Sequence, residues 1–333
     1  MNSVIDMRNI QPGTPVISII CLSYNHDKYI RRCLDSILEQ TVSVPIEIVV
    51  HDDASNDNSQ AIIREYYARY PDKIVPVIET ENKYSKGYDV IALAGERIQG
   101  KYVAYCECDD WWADKNKLEV QYRYMEEHPE CSLCVHAVAE YNDEINRYVG
   151  TIGPANTARD YSVKEIIEGD GGMFGTNSMF HRANDFNMPS YYYGWGVGDY
   201  PRTIFLATRG YVHFDPAIMS VWRRFSSGSW SEKMRNVDYS VTIRRRIIEG
   251  LIELDNNTNG KYHDSISDRV SVFRLEILAS TRDVELFQAL RRSDLALPSK
   301  TRLVLECIAP VTVPILQRIR DFLKSVFCRQ TIC

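Results

Sequence analysis

Residues 102–112 read YVAYCECDDWW, an apolar run that ends in acidic residues and two tryptophans. Glu107, Asp109 and Asp110 follow the run within four residues. Carboxylates this close repel one another and raise one another's pKa. A divalent cation would remove that cost, because Mg²⁺ and Mn²⁺ take oxygen ligands. The stretch therefore predicts a strand that carries a metal-binding acidic cluster at its carboxyl end.

Strand-like and helix-like patterns alternate around this stretch. Continuous apolar runs predict buried strands over 16–23, 46–51, 74–78 and 102–106. Apolar residues at helical spacing predict helices over 28–40, 60–70 and 90–98. This alternation predicts an α/β fold with a mostly parallel central sheet flanked by helices. Ligands bind at the carboxyl ends of such strands, where the segments HDDAS and ECDD lie.

The second half of the chain predicts two further regions. Residues 113–232 mix strands with aromatic and glycine-rich loops, whereas residues 240–333 show only amphipathic helical patterns. We therefore predict one domain over 14–232, with halves at 14–112 and 113–232, and a helical C-terminal region over 240–333.

Composition excludes some classes of function. A net charge of −6 and a pI of about 5.7 argue against nucleic acid as the main partner. The N-terminal residues lack a basic segment followed by a long apolar one, and no run reaches the ~18 apolar residues of a spanning helix. The nine cysteines suit reduced thiols in the cytoplasm, although the spacing of CSLC at 131–134 also permits a zinc half-site.

Four motifs occur in a characteristic order: SIICLSYNHDKYIRRCLDSILEQ at 18–40, EIVVHDDASNDNS at 47–59, ECDDWW at 107–112 and GWGVGDYP at 194–201. Together they resemble the inverting family 2 glycosyltransferases, which have a Rossmann-like nucleotide-sugar fold of the GT-A type. The acidic motif is similar to that of bacterial enzymes in which it reads E-G-D-D-Y-W. The resemblance covers about residues 14–230.

The resemblance implies a nucleoside diphosphate sugar donor, with UDP as the expected nucleotide. Ser23 and Tyr24 would lie over the base, Asp53 would accept a hydrogen bond from uracil, and Lys86 would lie near the base or phosphates. The residues alone leave other roles open. Tyr24 would also suit a buried turn, Asp53 would suit an acidic helix cap, and Lys86 would suit solvated surface.

The acidic cluster has separate implied roles. Asp109 would bind Mn²⁺ or Mg²⁺ that bridges the diphosphate. Glu107 would lie near the ribose or the donor sugar, and Asp110 would contact the metal or that sugar. The alternative is an acidic surface turn without a ligand.

On the acceptor side, the resemblance implies that Asp199 is the catalytic base of an inverting transfer. Without it, Asp199 reads as the cap of a helix that starts near Pro201. Thr176 and Asn177 would contact sugar hydroxyls. Trp195 would line the acceptor site or pack its own loop.

One segment departs from the family pattern. Relatives place a histidine shortly before a Gly-Gly or Ser-Gly pair, where this chain has Phe225. Arg223 or Arg224 would then contact the diphosphate directly, or the metal would bind less tightly. Phe225 is also the feature that favours a second class, a non-catalytic nucleotide-sugar-binding or scaffold protein.

The resemblance implies bacterial polysaccharide biosynthesis, with a glycan or lipid-linked oligosaccharide as acceptor. Residues 301–327 are basic and amphipathic. Such a segment fits peripheral contact with the inner face of a membrane, or packing on the domain or a second subunit of a homo-oligomer.

Overall fold

The computed structural model describes residues 14–226 and 228–281, which fall into two compact units that divide between Arg235 and Asn236. The strands are β1 (Ile17–Ser23), β2 (Ile46–Asp52), β3 (Ile74–Ile78), β4 (Tyr102–Tyr105), β5 (Trp111–Trp112), β6 (Cys131–Asn142), β7 (Arg147–Ile152), β8 (Arg159–Tyr161), β9 (Phe180–Arg182) and β10 (Tyr211–Arg224). The helices of the first unit are α1 (Ile30–Leu38), α2 (Ser59–Arg69), α3 (Val90–Gly95), α4 (Lys117–Glu127), α5 (Val163–Gly169), α6 (Asp199–Ala207) and α7 (Trp230–Lys233).

The ten strands of the described residues belong to one sheet, with the order β3-β2-β1-β4-β9-β6-β10-β5 and with β7 and β8 at its side. The pairs β2–β3, β1–β2 and β1–β4 are parallel, as predicted. The other half is mixed, because β9 lies antiparallel between β4 and β6 while β6 and β10 run parallel. The predicted α/β class with flanking helices is confirmed.

The core of the donor-side half follows from the period of two along its strands. Alternate side chains of β1, β2 and β4 point to one face, where they pack with apolar residues of α1, α2 and α4. Ile17, Ile19, Ile48 and Val50 are almost fully buried there. This packing fixes the strands, so their carboxyl ends hold the following loops at one edge of the sheet.

Several elements differ from the sequence-based expectation. Strand β7 lies in the region 113–232, where no individual strand was predicted, and it forms a hairpin with β6. The two tryptophans that follow the acidic cluster form β5, which pairs with β10. Helix α6 begins at Asp199 rather than near Pro201. Asp199 is therefore part of the first helical turn, and Gly198 is the N-cap.

The second unit contains α8 (Val237–Asn257) and α9 (His263–Thr281), which pair through Arg244 and Glu276 at 2.8 Å. The predicted helical C-terminal region is therefore present as far as residue 281, and residues 282–333 lie outside the described residues. Within the described ranges, no helix has the length and apolarity needed to cross a membrane. The predictions for 301–327 lie outside the described residues.

Candidate active site

The loops that follow β1 and β2 are joined by hydrogen bonds between them. The backbone N–H of Asn25 donates to Ser55 Oγ at 2.8 Å, and that of Asn56 donates to Asn25 Oδ1 at 2.8 Å. Asn25 has a φ of 57°, a left-handed conformation that asparagine tolerates. The two predicted nucleotide-binding motifs therefore form one rigid surface.

Ser23 and Tyr24 lie on this surface in different environments. Ser23 is buried, and its hydroxyl has no hydrogen-bond partner among the described residues. The Tyr24 side chain is 43% exposed, which excludes the buried turn as its explanation. Its ring face is available to a planar ligand.

Asp52 and Asp53 are neighbours in sequence but accept hydrogen bonds from different loops. Buried Asp52 accepts hydrogen bonds from the backbone and side chain of Ser55 and from Gln60, so it shapes the loop. Asp53 is buried as well, and its two oxygens accept from the backbone N–H groups of Lys83 at 2.6 Å and Tyr84 at 3.0 Å. Asp53 therefore anchors the loop between β3 and α3, and it does not cap α2.

Lys86 lies in that anchored loop, on a single 3₁₀ turn. It is half exposed and forms an ion pair with Glu81, which also pairs with Lys83 at 2.8 Å. The two ammonium groups lower the pKa of Glu81 to about 2. A phosphate would have to compete with Glu81 for Lys86.

The ECDD turn places its acids on two sides. The backbone N–H of Cys108 donates to Leu22 O at 2.9 Å, which joins the turn to the end of β1. Glu107 and Asp109 are partly exposed, whereas Asp110 is buried. The turn is thus a β-sheet extension with two accessible carboxylates, not a solvated surface loop.

Electrostatics join Glu107 to acids from both halves of the unit. Burial raises the pKa of Glu107 to about 8, and the charges of Asp109 and Asp199 contribute to this rise. The charge of Asp199 thus acts on Glu107 although the two are far apart in sequence. The three carboxylates border one site.

Both carboxylate oxygens of Asp110 accept hydrogen bonds from within the protein. Its Oδ2 accepts from Asn177 Nδ2 at 2.7 Å and its Oδ1 from the backbone N–H of Arg223 at 2.8 Å. Burial raises the pKa of Asp110 well above its usual value. Asn177 also donates to Val221 O at 3.1 Å and accepts from Ser220 at 2.8 Å. Asp110 was predicted to contact the metal or the donor sugar, and Asn177 to contact sugar hydroxyls. Both side chains instead form hydrogen bonds that join the ECDD turn to β10.

Asp199 lies at the beginning of α6, half-buried. Its Oδ1 accepts from the backbone N–H of Tyr200 at 2.7 Å. Burial raises the pKa of Asp199 to about 6 against the opposing effect of backbone hydrogen bonds. The Tyr200 hydroxyl donates to Ile167 O at 2.6 Å and so fixes the start of α6 against α5.

Arg223 is buried and fully engaged. Its Nε donates to Asp109 O at 2.8 Å, and its guanidinium also pairs with Asp143. Aromatic rings surround it, with ring centres at 4.4, 5.0 and 5.3 Å for Tyr29, Trp111 and Tyr141. Arg223 therefore stabilises the ECDD turn, and these contacts occupy its guanidinium in place of the predicted diphosphate.

Arg224 and Phe225 lie beside each other at the end of β10. Arg224 lies 3.4 Å from Glu140, and its buried Nε has no partner among the described residues. The Phe225 ring contacts the guanidinium groups of Arg224 at 4.9 Å and Arg235 at 3.7 Å. Phe225 has a φ of 62°, which is rare for a bulky residue.

The remaining acceptor-side predictions separate. Trp195 is buried, donates to Tyr191 O at 2.9 Å and packs edge-on against Tyr200. It stabilises its loop and does not form a wall of the site. Thr176 is half-buried at the beginning of the 3₁₀ turn that carries Asn177.

Two residues near Asp109 were missed from the sequence. Ser226 Oγ donates to Asp109 Oδ2 at 3.0 Å, and His26 Nε2 lies 4.0 Å from the same oxygen. His26 follows directly on the SYN motif at the carboxyl end of β1. That position was a signal that could have found it.

The side chains around Asp109 fit a divalent cation that is held partly by substrate. In the part of the chain that the structure describes, no group of three or more His, Cys, Asp or Glu could hold a metal ion by itself. No lysine or arginine nitrogen of the described residues lies within 4.0 Å of the Asp109 carboxylate. Mg²⁺-type sites often use one or two carboxylates together with substrate phosphates. The Cys131–Cys134 pair consists of buried free thiols.

Solved structures show the same fold. S. aureus TarS in complex with UDP-GlcNAc matches with a TM-score of 0.57 at 17% identity, over 87% of this chain and 81% of that one. Mannosyltransferase PcManGT from Pyrobaculum calidifontis, in complex with GDP-Man and Mn²⁺, matches with 0.51 at 16% identity, over 88% and 84%. The chain therefore has the GT-A fold of nucleotide-sugar glycosyltransferases.

The family follows from the sequence comparison. The family model described as glycosyl transferase family 2 matches residues 18–185, half of the chain, so this chain belongs to that family. An uncharacterised protein of Mycobacterium bovis is 34% identical over 226 residues, 64% of this chain. The chain spans 60% of the length of that relative.

Proposed function

We propose that this chain is a metal-assisted glycosyltransferase that uses a UDP-sugar and inverts the anomeric carbon. The observation that carries the proposal is the shared site of Glu107, Asp109 and Asp199, in which acids from the donor-side and acceptor-side halves influence one another. The halves are taken as 14–112 and 113–232. The complex of TarS with UDP-GlcNAc and the exposed ring of Tyr24 support a uridine nucleotide as donor.

On the donor side, Tyr24 stacks on the base, and Asp53 reads uracil with the lone pairs that its backbone partners leave free. Ser23 offers its unpartnered hydroxyl to the nucleotide. Lys86 exchanges Glu81 for a phosphate. Asp109 would hold Mn²⁺ or Mg²⁺ together with the diphosphate. The structure of PcManGT in complex with GDP-Man and Mn²⁺ supports this assignment. When bound, the metal neutralises charge on the leaving diphosphate.

On the acceptor side, Asp199 accepts the proton of the attacking hydroxyl. Its raised pKa brings it closer to neutral pH, where a general base is most effective. We assign Glu107, whose pKa the charges of Asp109 and Asp199 help to raise, to the donor sugar. Thr176 and Arg224 remain acceptor and diphosphate contacts by proposal.

The acceptor is a glycan or a lipid-linked oligosaccharide of a bacterial surface polysaccharide, and the ECDDWW motif supports a relation to the E-G-D-D-Y-W subgroup. Both assignments rest on the sequence resemblance. With a lipid-linked acceptor, the reaction takes place at the inner face of the membrane.

Calorimetric titration of UDP with and without Mn²⁺ tests the donor site. We expect Mn²⁺ to tighten UDP binding, and Asp109→Ala to remove the effect of the metal. Asp72→Ala is the matched control, because Asp72 is an exposed acid outside the site. Folded protein that binds no nucleotide under either condition would overturn the donor assignment.

Turnover separates an enzyme from a nucleotide-sugar-binding scaffold. We expect Asp199→Asn to bind UDP like the wild type but to lose transfer and donor hydrolysis by about 10²- to 10⁴-fold. Transfer activity that survives this substitution would show that another group is the base. The wild type would be assayed with a panel of UDP-sugars and glycan acceptors. If it binds UDP but shows neither transfer nor hydrolysis, the non-catalytic scaffold is favoured.

A further inference from the structure

His26 is held by its backbone in the loop between β1 and α1. Its N–H donates to Ser59 Oγ at 2.9 Å, and its carbonyl accepts from Tyr29 and Ile30, both at 2.9 Å. The Tyr29 ring lies edge-on to the imidazole, with ring centres 6.4 Å apart. The position of the ring is therefore set by the loop and not by a polar partner.

The imidazole of His26 forms no hydrogen bond with the described residues. Its Nδ1 is buried without a hydrogen-bond partner among the described residues. Its Nε2 faces Asp109 Oδ2 at 4.0 Å, beyond hydrogen-bond distance. Neither ring nitrogen therefore has a hydrogen-bond partner among the described residues, although polar groups at such sites are normally paired. Because Nε2 faces Asp109, a ligand held between the two side chains would give Nε2 a partner.

We propose that His26, through Nε2, is the second protein ligand of the divalent metal on Asp109. This inference rests on the proposed function. Two atoms bonded to one ion at about 2.1 Å each lie about 3 to 4.2 Å apart, a range that includes the observed 4.0 Å. Imidazole binds Mn²⁺ less readily than oxygen does but is a common ligand of divalent transition metals.

The rest of the site agrees with this assignment. The Phe225 ring contacts both Arg224 and Arg235 and provides no metal ligand. His26 supplies an imidazole from the loop after β1, next to the donor loops. Two protein ligands plus diphosphate oxygens also match the absence of a three-residue cage within the described residues.

Electron spin-echo spectroscopy of Mn²⁺ in the full chain tests the proposal directly, because it detects a directly bound histidine nitrogen. The probe is Mn²⁺ with UDP, with unlabelled and ¹⁵N-histidine protein. We expect a nitrogen signal in the wild type that His26→Gln abolishes. The same variant should weaken Mn²⁺ binding in the presence of UDP by at least about tenfold, since even outer-shell changes cost about 10- to 100-fold.

His263→Gln is the control, because His263 is an exposed histidine of the second unit, and it should retain the signal. Bound Mn²⁺ that depends on Asp109 but gives no histidine signal in the wild type would overturn the role of His26 and leave the proposed function intact. Weaker UDP binding in His26→Gln without metal, together with an unchanged Mn²⁺ signal, would show that His26 donates a hydrogen bond to a phosphate. That outcome would also overturn the role of His26 as a metal ligand. Failure of Mn²⁺ and UDP to bind the wild type at all would overturn the proposed function itself.

Discussion

Asp199 shows how one side chain can combine two conflicting environments. The beginning of α6 supplies backbone N–H groups, which stabilise a carboxylate. Burial opposes this effect and prevails, so the pKa of Asp199 rises to about 6. The residue is therefore ionised at neutral pH yet more basic than an exposed aspartate.

The pH dependence of kcat/KM follows from this pKa. A general base must be deprotonated, so we expect kcat/KM to fall about tenfold per pH unit below about pH 6 and to level off above it. Donor binding to Asp199→Asn, measured at about pH 5 and 7.5, controls for titration of the other acids. A profile that stays flat down to about pH 4.5 would contradict the assignment.

The same pKa also affects the stability of the fold. Ionisation of Asp199 increases turnover but lowers the free energy of unfolding. The pKa of Asp199 in the folded chain lies above its ordinary value of 3.8, so ionisation costs stability as pH rises from about 4 to 6. Asp199→Asn should therefore raise the free energy of unfolding at about pH 7.5 while it lowers turnover. Denaturant unfolding at about pH 4 and 7.5 checks this, and an equal or larger gain at the lower pH would refute it.

Lys117 offers a test of buried charge away from the site. The side chain is fully buried, donates to Gln121 at 2.7 Å, and has a pKa that burial lowers to about 7. Because the pKa of Lys117 differs between the folded and the unfolded chain, the free energy of unfolding depends on pH.

The direction follows from the two pKa values. Above about pH 7 the folded chain holds Lys117 neutral while the unfolded chain still binds a proton there, so the unfolded state binds more protons. Stability therefore rises with pH wherever this difference persists, by up to about 1.4 kcal/mol per unit.

We expect Lys117→Met to show a smaller rise in unfolding free energy between about pH 7 and 8.5 than the wild type. The orphaned Gln121 oxygen shifts both values equally, so only the difference between the pH values is informative. Lys28→Met, at an exposed lysine, controls for loss of charge. Parallel pH curves for wild type and Lys117→Met would show that Lys117 is not buried as a neutral amine.

At the scale of elements, the 3₁₀ turn Thr176–Ser178 joins the ECDD turn to β10 through the side chain of Asn177. Asn177 bonds to Asp110 before β5 and to Ser220 and Val221 in β10. Asn177→Ala would leave buried polar groups without partners, each of which costs about 1–3 kcal/mol. We expect a loss of at least about 2 kcal/mol in urea unfolding, whereas Thr176→Ala should change stability much less. Equal effects of the two variants would contradict the role of Asn177.

This turn also shows where sequence analysis reaches its limit. The order of residues in ECDD predicts an acidic cluster, but orientation decides that Asp109 is accessible while Asp110 is buried against Asn177. That orientation depends on β10, which is more than a hundred residues away in sequence. Trp195 illustrates the same limit, because an aromatic residue in a loop suits a ligand platform and a packing role equally well.

At the scale of the molecule, the predictable part is the half with local connections. β1, β2 and β4 pair in parallel through helical crossovers, which periodicity alone predicts. The insertion of short β9 between β4 and β6 is set by distant pairing and has no sequence signal of comparable strength. The sequence therefore located the loops that carry the predicted donor motifs at strand ends, whereas the contacts of the other half required the structure.

The proposed division of the metal site between protein and substrate leads to a prediction for the whole chain. If Asp109 and His26 provide only part of the coordination, Mn²⁺ and UDP must each increase the affinity for the other. A ligand at about 100 times its Kd stabilises a protein by about 2.7 kcal/mol. In thermal unfolding, we expect the shift in Tm with both ligands to exceed the sum of the separate shifts.

Asp109→Ala should retain the shift caused by UDP alone and lose the extra shift caused by Mn²⁺. Asp72→Ala should behave like the wild type, since its carboxylate is exposed and outside the site. Strictly additive shifts in the wild type would mean that the metal and the nucleotide occupy separate sites. In that case the diphosphate would not share a cation with the carboxylates that follow β4, and the charge of Asp109 would continue to contribute to the raised pKa of Glu107 when UDP is bound.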